Sequence, residues 1–349
     1  MFISAHICKS AVLAFTGMLL AAASSFTYAS NAGPHPKAIP LPGGEHGLGL
    51  DDMGYLPALH RIVVPAGQTG ALVLIDPDNN TMTSIPGIAP HVIAKPGRRH
   101  RDEGTSSAVY GDGYIFASDH SDRAVAIVDP VHKRVLKRIP LASGSDYVRY
   151  LAARQEVWVT EPEAAQIQVF KFSAKPAPTL KPETTISVPG GPEALLFDNA
   201  RHRAYSNLWK AKTVVMNTVT HKVVTDWPND CRGGRGLALD AAHSHLFVAC
   251  TEGAISTLSL TANGKVLAHT KAGAGIDIIS YSPALHHLYV PGSRSATLTI
   301  FDALPSGKLK ALATFPTATR THCVADDNHG HVYVCNPHAG GVLFIDDKH

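Results

Sequence analysis

Beyond residue 30 the sequence has no apolar run that approaches the roughly 20 residues of a membrane-spanning helix. It has no C-x-x-C-H pattern, which excludes covalently attached haem of the c type. Charged residues make up only 17% of the chain and form no dense basic face, so we do not expect nucleic acid as a partner. Glycine pairs such as Gly190-Gly191 precede strand-like segments instead of helices, which excludes a phosphate-binding glycine loop.

The longest apolar stretch, residues 11–23, lies near the start of the chain and follows the cation Lys9. Small residues near Ala29 come shortly after it, as at a signal-peptidase site. This pattern predicts a cleaved signal peptide over residues 1–29, with cleavage as late as residue 32. We therefore expect a mature protein that is periplasmic or secreted.

One strand-like segment recurs seven times, with aromatic or β-branched residues alternating with small or polar ones. Successive copies start 53, 42, 47, 42, 42 and 44 residues apart. A period of about 40 to 45 residues with several short strands per unit is the signature of propeller blades. The copies begin at Arg61, Tyr114, Glu156, Arg203, His245, His287 and His331.

Each copy is flanked by further strands with period-two alternation. A strand and a polar turn precede it, as in residues 195–200, and a third strand follows, as in residues 124–129. A fourth strand usually comes next, as in residues 135–140. The sequence therefore predicts an all-β, seven-bladed β-propeller of four-stranded antiparallel blades.

The seventh copy has only three strands of its own, which leaves one sheet edge unpaired. Residues 36–43, Pro-Lys-Ala-Ile-Pro-Leu-Pro-Gly, are similar to fourth-strand endings such as Ile139-Pro140-Leu141. We expect this segment to pair beside residues 342–345 and close the ring. The result would be a single propeller domain over residues 35–349.

The blades read as strand, polar turn, YVTN-like strand, short loop and V-x-V-I-D-like strand, and so the chain resembles the YVTN-type repeat family of exported bacterial propellers. The resemblance covers essentially the whole mature chain and implies the seven-bladed fold. It leaves function open, because that family shares its scaffold with lactone-cleaving propellers, cofactor-binding electron-transfer subunits and interaction modules.

In a propeller the first strand of every blade lines the central channel, and the loop after the second strand returns to the face where the first strand starts. Side chains at both places should meet in one funnel, the usual ligand site of the fold. The first-strand positions are His46, Glu103 with Thr105, Asp146, Glu193, Arg235, Asp277 and His322. The loop positions are Asp119, His120, Glu161, Trp209, Lys210, Glu252, Arg294 and His338.

Part of this ring has the chemistry of a metal site. Carboxylate oxygens together with water suit a divalent cation such as Ca²⁺ or Mg²⁺. The carboxylates concerned are Glu103, Asp146, Glu193 and Asp277. The alternative is that polar side chains at a water-filled mouth are satisfied by solvent and hold no ligand.

The same ring can also be interpreted as the active site of a lactonase-like hydrolase or lyase. Arg235 or Arg149 would polarise a carbonyl, since guanidinium is a strong donor. His322 or His46 would act as general acid and base, because imidazole titrates near neutral pH. Glu193 completes the candidate catalytic set. Candidate ligand contacts are Glu103, Asp146, Arg149, Asp277, Trp209 and His120.

Five cysteines occur, and Cys8 lies in the predicted signal peptide. The other four are Cys231, Cys250, Cys323 and Cys335. In an exported chain this even set predicts two disulfides, one within blade 5 and one within blade 7. For the blade 7 pair two alternatives remain open: a Zn²⁺ or copper site shared with His322 and His338, or a pair of reduced thiols.

We therefore predict a monomeric periplasmic propeller that binds a small molecule or a periplasmic protein through its funnel. The alternative is a lactonase-like enzyme that works with or without a divalent metal. An accessory role in a redox system is disfavoured, because the haem motif is missing.

Overall fold

A computed structural model describes residues 36–89 and 104–349. These ranges contain strands and four short 3₁₀ helices, Pro57–Leu59, Ala152–Arg154, Pro162–Ala164 and Pro337–Ala339, and no α-helix. No helix in this part of the chain is long and apolar enough to cross a membrane. The predicted signal peptide and Glu103 lie outside the described residues.

The strands form seven four-stranded antiparallel sheets, the blades of a seven-bladed propeller, so the predicted fold is confirmed. The outermost strand of blade 7 is β1 (Lys37–Pro40), the first strand of the described residues. Blade 1 holds β2 (Gly54–Leu56), β3 (Arg61–Pro65), β4 (Leu72–Ile75) and β5 (Met82–Ile85). Blade 2 holds β6 (Ala108–Gly111), β7 (Tyr114–Asp119), β8 (Ala124–Asp129) and β9 (Arg134–Pro140). Blade 3 holds β10 (Val148–Leu151), β11 (Glu156–Glu161), β12 (Gln166–Ser173) and β13 (Thr179–Ser187).

The remaining blades repeat the pattern. Blade 4 holds β14 (Glu193–Asp198), β15 (Arg203–Asn207), β16 (Lys212–Asn217) and β17 (Lys222–Pro228). Blade 5 holds β18 (Gly234–Asp240), β19 (His245–Cys250), β20 (Ala254–Ser259) and β21 (Lys265–Lys271). Blade 6 holds β22 (Ser280–Ser282), β23 (His287–Gly292), β24 (Thr297–Ala303) and β25 (Leu309–Pro316). Blade 7 is completed by β26 (Val324–Asp326), β27 (His331–Asn336) and β28 (Gly341–Asp346).

One repeated aromatic position forms much of the core. The third residue of the second strand is fully buried in every blade, and it is aromatic in all blades except the first, which has Val63. Large flat rings at this position fill the space between neighbouring twisted sheets, where burial of apolar area stabilises the stack. These aromatic residues are Phe116, Trp158, Tyr205, Phe247, Tyr289 and Tyr333.

The ring is closed by the N-terminal strand, as the sequence predicts. β1 pairs antiparallel with β28, with Ile39 opposite Val342, so the third strand of blade 7 has no free edge. The backbones of Gly340 and Gly44 pack directly against each other here. A Cβ on Gly340 would lie only 1.7 Å from the Gly44 carbonyl oxygen, so a larger residue does not fit. The junction between the two ends of the chain therefore depends on main-chain hydrogen bonds and on close approach that larger residues would block.

Replacing Ile39 by alanine should weaken this closure. The Ile39 side chain is buried in the core while Lys37, on the same strand, is exposed. We expect Ile39→Ala to lower the free energy of unfolding by about 2–4 kcal/mol, as for other large-to-small core changes. Lys37→Ala is the matched control and should change it by less than about 0.5 kcal/mol. Urea unfolding measures both, and equal midpoints for the two variants would contradict the role of β1.

Candidate functional site

A polar cavity of about 820 Å³ opens at one end of the central channel, and we call it the funnel. Its wall is lined by residues from six of the blades. The acidic residues of the wall are Asp51, Asp146, Glu193 and Asp277. The basic ones are Arg235, Arg294 and Arg320, joined by His322. Seven of the predicted funnel residues are thus brought to one cavity: Asp146, Glu193, Trp209, Arg235, Asp277, Arg294 and His322.

The repeat explains why these side chains converge. Asp51, Asp146, Glu193, Arg235 and Asp277 each stand ten positions before the first residue of the second strand in their blade. Because every blade enters the channel with the same geometry, equal offsets along the chain become equivalent places around the axis. The same count in blade 1 leads to Asp51, whereas His46 was the predicted residue there.

Two irregularities in the first strands lie next to charged wall residues. In blade 4 the register between β14 and β15 shifts just after Glu193, and in blade 5 the register between β18 and β19 shifts across Arg235. Ala194 has a left-handed backbone, with φ of 66°. Bulges of this kind re-aim side chains and occur often beside functional sites.

Glu193 is the most deeply buried carboxylate of the wall, and it joins two neighbours. Its Oε1 lies 3.3 Å from Nη1 of Arg235, and its Oε2 accepts a hydrogen bond from the Trp209 indole N–H. Burial and then the negative charge of Asp277 raise the pKa of Glu193, while Arg235 and Trp209 oppose the rise. The Trp209 ring, held by this bond, is 45% exposed and presents an aromatic surface at the cavity.

Tyr147 forms the floor of the funnel. It is buried and also lines a smaller cavity of about 170 Å³ further along the channel. Burial raises the pKa of Tyr147 well above its usual value, and the charges of Asp277, Asp146 and Glu193 add to the rise. The hydroxyl therefore keeps its proton at neutral pH.

Arg149 does not reach the funnel, contrary to its predicted catalytic and ligand-binding roles. Its guanidinium forms a two-pronged ion pair with Asp52, with Nη1–Oδ2 at 2.5 Å and Nη2–Oδ1 at 2.9 Å. It also lies 5.1 Å from the centre of the Tyr147 ring, within cation–π range. The buried carboxylate of Asp52, just before β2, holds this cation below the floor of the funnel. Arg149 therefore has a structural role.

His322 lines the funnel beside a disulfide. Its Nδ1–H donates to the Arg320 carbonyl at 2.6 Å, and since a carbonyl only accepts, the neutral ring carries its lone pair on Nε2. The following residue, Cys323, is bonded to Cys335 across the first two strands of blade 7. Together with the Cys231–Cys250 bond in blade 5, this confirms both predicted disulfides.

Several predicted funnel residues lie elsewhere. Exposed His46 sits in the loop after β1 and is not part of the cavity wall. The ring of His120 is hydrogen-bonded to the Ser145 carbonyl at 2.9 Å, also away from the wall. Thr105 is buried and pairs with the backbone of Gly67.

Most of the side chains predicted at or after the ends of the second strands do not line the funnel. Asp119 is buried beside Arg138, 3.5 Å from Nε. Glu161 is buried and accepts from Gln166. Glu252 accepts the backbone N–H groups of Arg232 and Gly233, which orders the loop pinned by Cys231–Cys250. Lys210 and His338 are exposed and do not line the cavity.

The predicted carboxylate metal site is not assembled by the residues that the structure describes. Glu103 falls outside them, and Asp146, Glu193 and Asp277 do not form a group whose ligand atoms lie within 4.8 Å of one another. The physical reason is that each comes from a different blade, so the width of the channel separates them. Glu193 is committed to Arg235 and Trp209 instead.

The charges of the wall are unevenly distributed around the axis. Blades 5, 6 and 7 supply all the described basic groups, whereas blades 1, 3 and 4 supply acidic ones. Asp277 of blade 6 is the exception. Within the described part of the chain, Arg294, Arg320 and Asp277 have no ion-pair partner within 4.0 Å, so the funnel presents both signs of charge to a ligand.

Comparisons with known proteins identify the fold alone. No family model and no curated protein matches this chain. Among solved structures it is similar to a chain of hydrazine synthase from Kuenenia stuttgartiensis, at 12% identity and a TM-score of 0.70, over 86% of this chain and 96% of that one. It is also similar to a chain in a crystal structure of a mitotic checkpoint complex, at 12% identity and a TM-score of 0.72, over 97% and 99%.

The pKa of Glu193 provides a test of the wall's electrostatics. Asp277→Asn removes a negative charge that raises this pKa, so the titration midpoint of Glu193 should fall, and Arg235→Ala removes an opposing positive charge, so it should rise. Asp146→Asn is the control, because Asp277 and not Asp146 is among the main causes of the raised pKa of Glu193. Carboxyl ¹³C NMR titration measures the midpoints. Equal shifts in the Asp277 and Asp146 variants would show that the charges are arranged differently.

Proposed function

We propose that this propeller is an exported binding protein whose funnel takes a small polar molecule bearing both a positive and a negative group. The observation that carries the proposal is that the acidic Asp277 and the basic Arg294 and Arg320, none of which has an ion-pair partner among the described residues, line one cavity. A rigid ring supplies such a site without any moving part, and the propeller fold is commonly an interaction module.

The size and lining of the funnel support a small ligand. Its volume of about 820 Å³ lies in the range of pockets that enclose small molecules, roughly 300–1,000 Å³. Asp277, next to buried Glu193, would accept from an ammonium group. Arg294, whose guanidinium donates only to the Thr251 carbonyl among its described partners, would bind a carboxylate or phosphate. The exposed face of Trp209 would cover the apolar part of the molecule.

Export is part of the proposal and rests on two features. The N-terminal segment has the pattern of a signal peptide, and a periplasmic or secreted location follows from it. Two disulfides are compatible with an oxidising compartment. Membership of the YVTN-type family stays a prediction from the repeat pattern.

A hydrolase remains the second candidate, because His322, Arg235 and Glu193 line one cavity. The contacts disfavour it. Arg235 is paired with Glu193, Glu193 is also held by Trp209, and His322 is bonded to the Arg320 backbone, so no described contact links the imidazole to the other two groups. General acid–base catalysis requires such groups to reach one reacting atom.

Binding of zwitterions tests the main proposal. Amino acids and dipeptides with free termini should bind, whereas the same compounds with acetylated amines and amidated carboxyls should not, because the charges are then missing. Asp277→Asn and Arg294→Gln should each weaken binding on the order of tenfold, which corresponds to ~1.4 kcal/mol. Lys210→Gln removes a cation from a loop on the same face that does not line the funnel, and it should have no effect.

Isothermal titration calorimetry measures these affinities. The proposal is wrong if no compound with free termini binds, or if the blocked compounds bind equally well. It is also wrong if Lys210→Gln reduces affinity as much as Arg294→Gln.

Turnover separates the two candidate functions. With a panel of γ- and δ-lactones we expect no hydrolysis that depends on His322. Lactone hydrolysis by the wild-type protein that disappears in His322→Gln, with zwitterion binding unchanged, would favour the enzyme.

A further inference from the structure

Blade 7 holds a second cluster of reactive side chains at the edge of the funnel. One ligand atom each from His322, Cys323 and Cys335 lies within 4.8 Å of the other two, the arrangement of a metal site. Both cysteines are fully buried, and His322 is partly exposed to the funnel. In the disulfide form the two sulfurs are bonded to each other, so this cluster cannot bind a metal as thiolates.

The surroundings of Cys335 suit a thiolate. Its Sγ lies 2.9 Å from the backbone nitrogen of Cys323 and 3.3 Å from that of His322, and both N–H groups point at it. Donors directed at sulfur stabilise negative charge far more than they stabilise a neutral disulfide sulfur. Metal-bound cysteines are commonly supported by such contacts to their sulfur atoms.

We propose that, when Cys323 and Cys335 are reduced, His322, Cys323 and Cys335 form a site for Zn²⁺ or another thiolate-preferring metal ion. The spacing fits, because Nδ1 of His322 lies 3.9 Å from Sγ of Cys335, and two ligands on a tetrahedral zinc ion, one nitrogen and one sulfur, are about 3.5 Å apart. Nδ1 becomes the ligand, its proton moves to Nε2, and the hydrogen bond to the Arg320 carbonyl is released.

The chemistry balances without further groups. A dithiol reductant supplies two electrons and two protons, the S–S bond breaks, two S–H groups form, and the reductant becomes a disulfide. Zinc binding then displaces the two thiol protons to solvent. Three protein ligands leave a fourth position at the funnel, which water or a solute can occupy, as in catalytic zinc sites. The disulfide and the metal are therefore alternative states of the same residues.

The other disulfide provides an internal comparison. Among the described residues, Cys231 and Cys250 belong to no group of three or more ligand atoms within 4.8 Å. Reduction there should yield two thiols without the imidazole. Because only the Cys323–Cys335 pair lies beside an imidazole, the Cys231–Cys250 pair is a matched control for the test.

The test uses the full chain, produced in a reducing compartment, kept under dithiothreitol and freed of it anaerobically. Zinc per chain is measured after dialysis against Zn²⁺, and Co²⁺ loading is followed by its thiolate charge-transfer and tetrahedral d–d bands. The wild type and Cys231→Ser/Cys250→Ser should each hold about one metal ion. Cys323→Ser/Cys335→Ser should hold none, and oxidation of the wild type to the disulfide should release the ion.

His322→Gln keeps both thiols and should bind zinc at least tenfold more weakly, which tests the site even if the serine variant fails to fold. The inference is overturned if the reduced wild type holds no more zinc than Cys323→Ser/Cys335→Ser. It is also overturned if His322→Gln binds as tightly as the wild type. Because zwitterion binding is measured on the disulfide form, either proposal can fail without the other.

Discussion

The pairing of β1 with β28 is the contact on which the rest of the structure depends. A sheet edge inside a ring of blades would leave a row of backbone N–H and C=O groups without partners, at a cost for each group. Strand β1 supplies those partners from the other end of the chain, with Ile39 and Leu41 buried behind it. Only a closed ring holds seven first strands around one axis, and only that arrangement brings residues more than 200 positions apart, such as Asp51 and Asp277, to one cavity.

Within the funnel, burial decides which charges are structural and which face a ligand. Asp52 and Arg149 neutralise each other below Tyr147, where an unpaired charge would be strongly destabilising. Glu193 is mostly buried and is compensated by Arg235 and Trp209. Arg294 and Arg320 are exposed and have no ion-pair partner among the described residues, although Arg294 donates to the Thr251 carbonyl. The difference between the paired buried charges and these exposed ones is what suits the cavity to a charged, removable solute.

The sequence was sufficient for the fold because the repeat is regular. Alternation within the strands recurs in all seven blades and the buried aromatic of the second strand in six of them. The proline-flanked segment around Ile39 is similar to the fourth-strand endings of other blades, which indicates its place in the ring. The disulfides followed in the same way, since cross-strand register places Cys323 against Cys335. The site was only partly predictable. The entry positions of the first strands indicate Glu193, Arg235 and Asp277, but which arginine is free depends on contacts between blades, as Arg149 with Asp52 shows. Trp209 was placed correctly, whereas its bond to Glu193 had no signal in the sequence.

Amide hydrogen exchange of β28 tests the closed ring most directly. This strand lies between β27 and β1, whereas β17 is the outermost strand of blade 4. If β1 closes the ring, residues 342–345 should exchange as slowly as residues 332–335 of β27, because β28 is then paired on both sides and its amides find partners whichever side they face. If instead about half of those amides exchange as fast as the outward-facing amides of β17, the ring is open at blade 7, and the common funnel loses its basis.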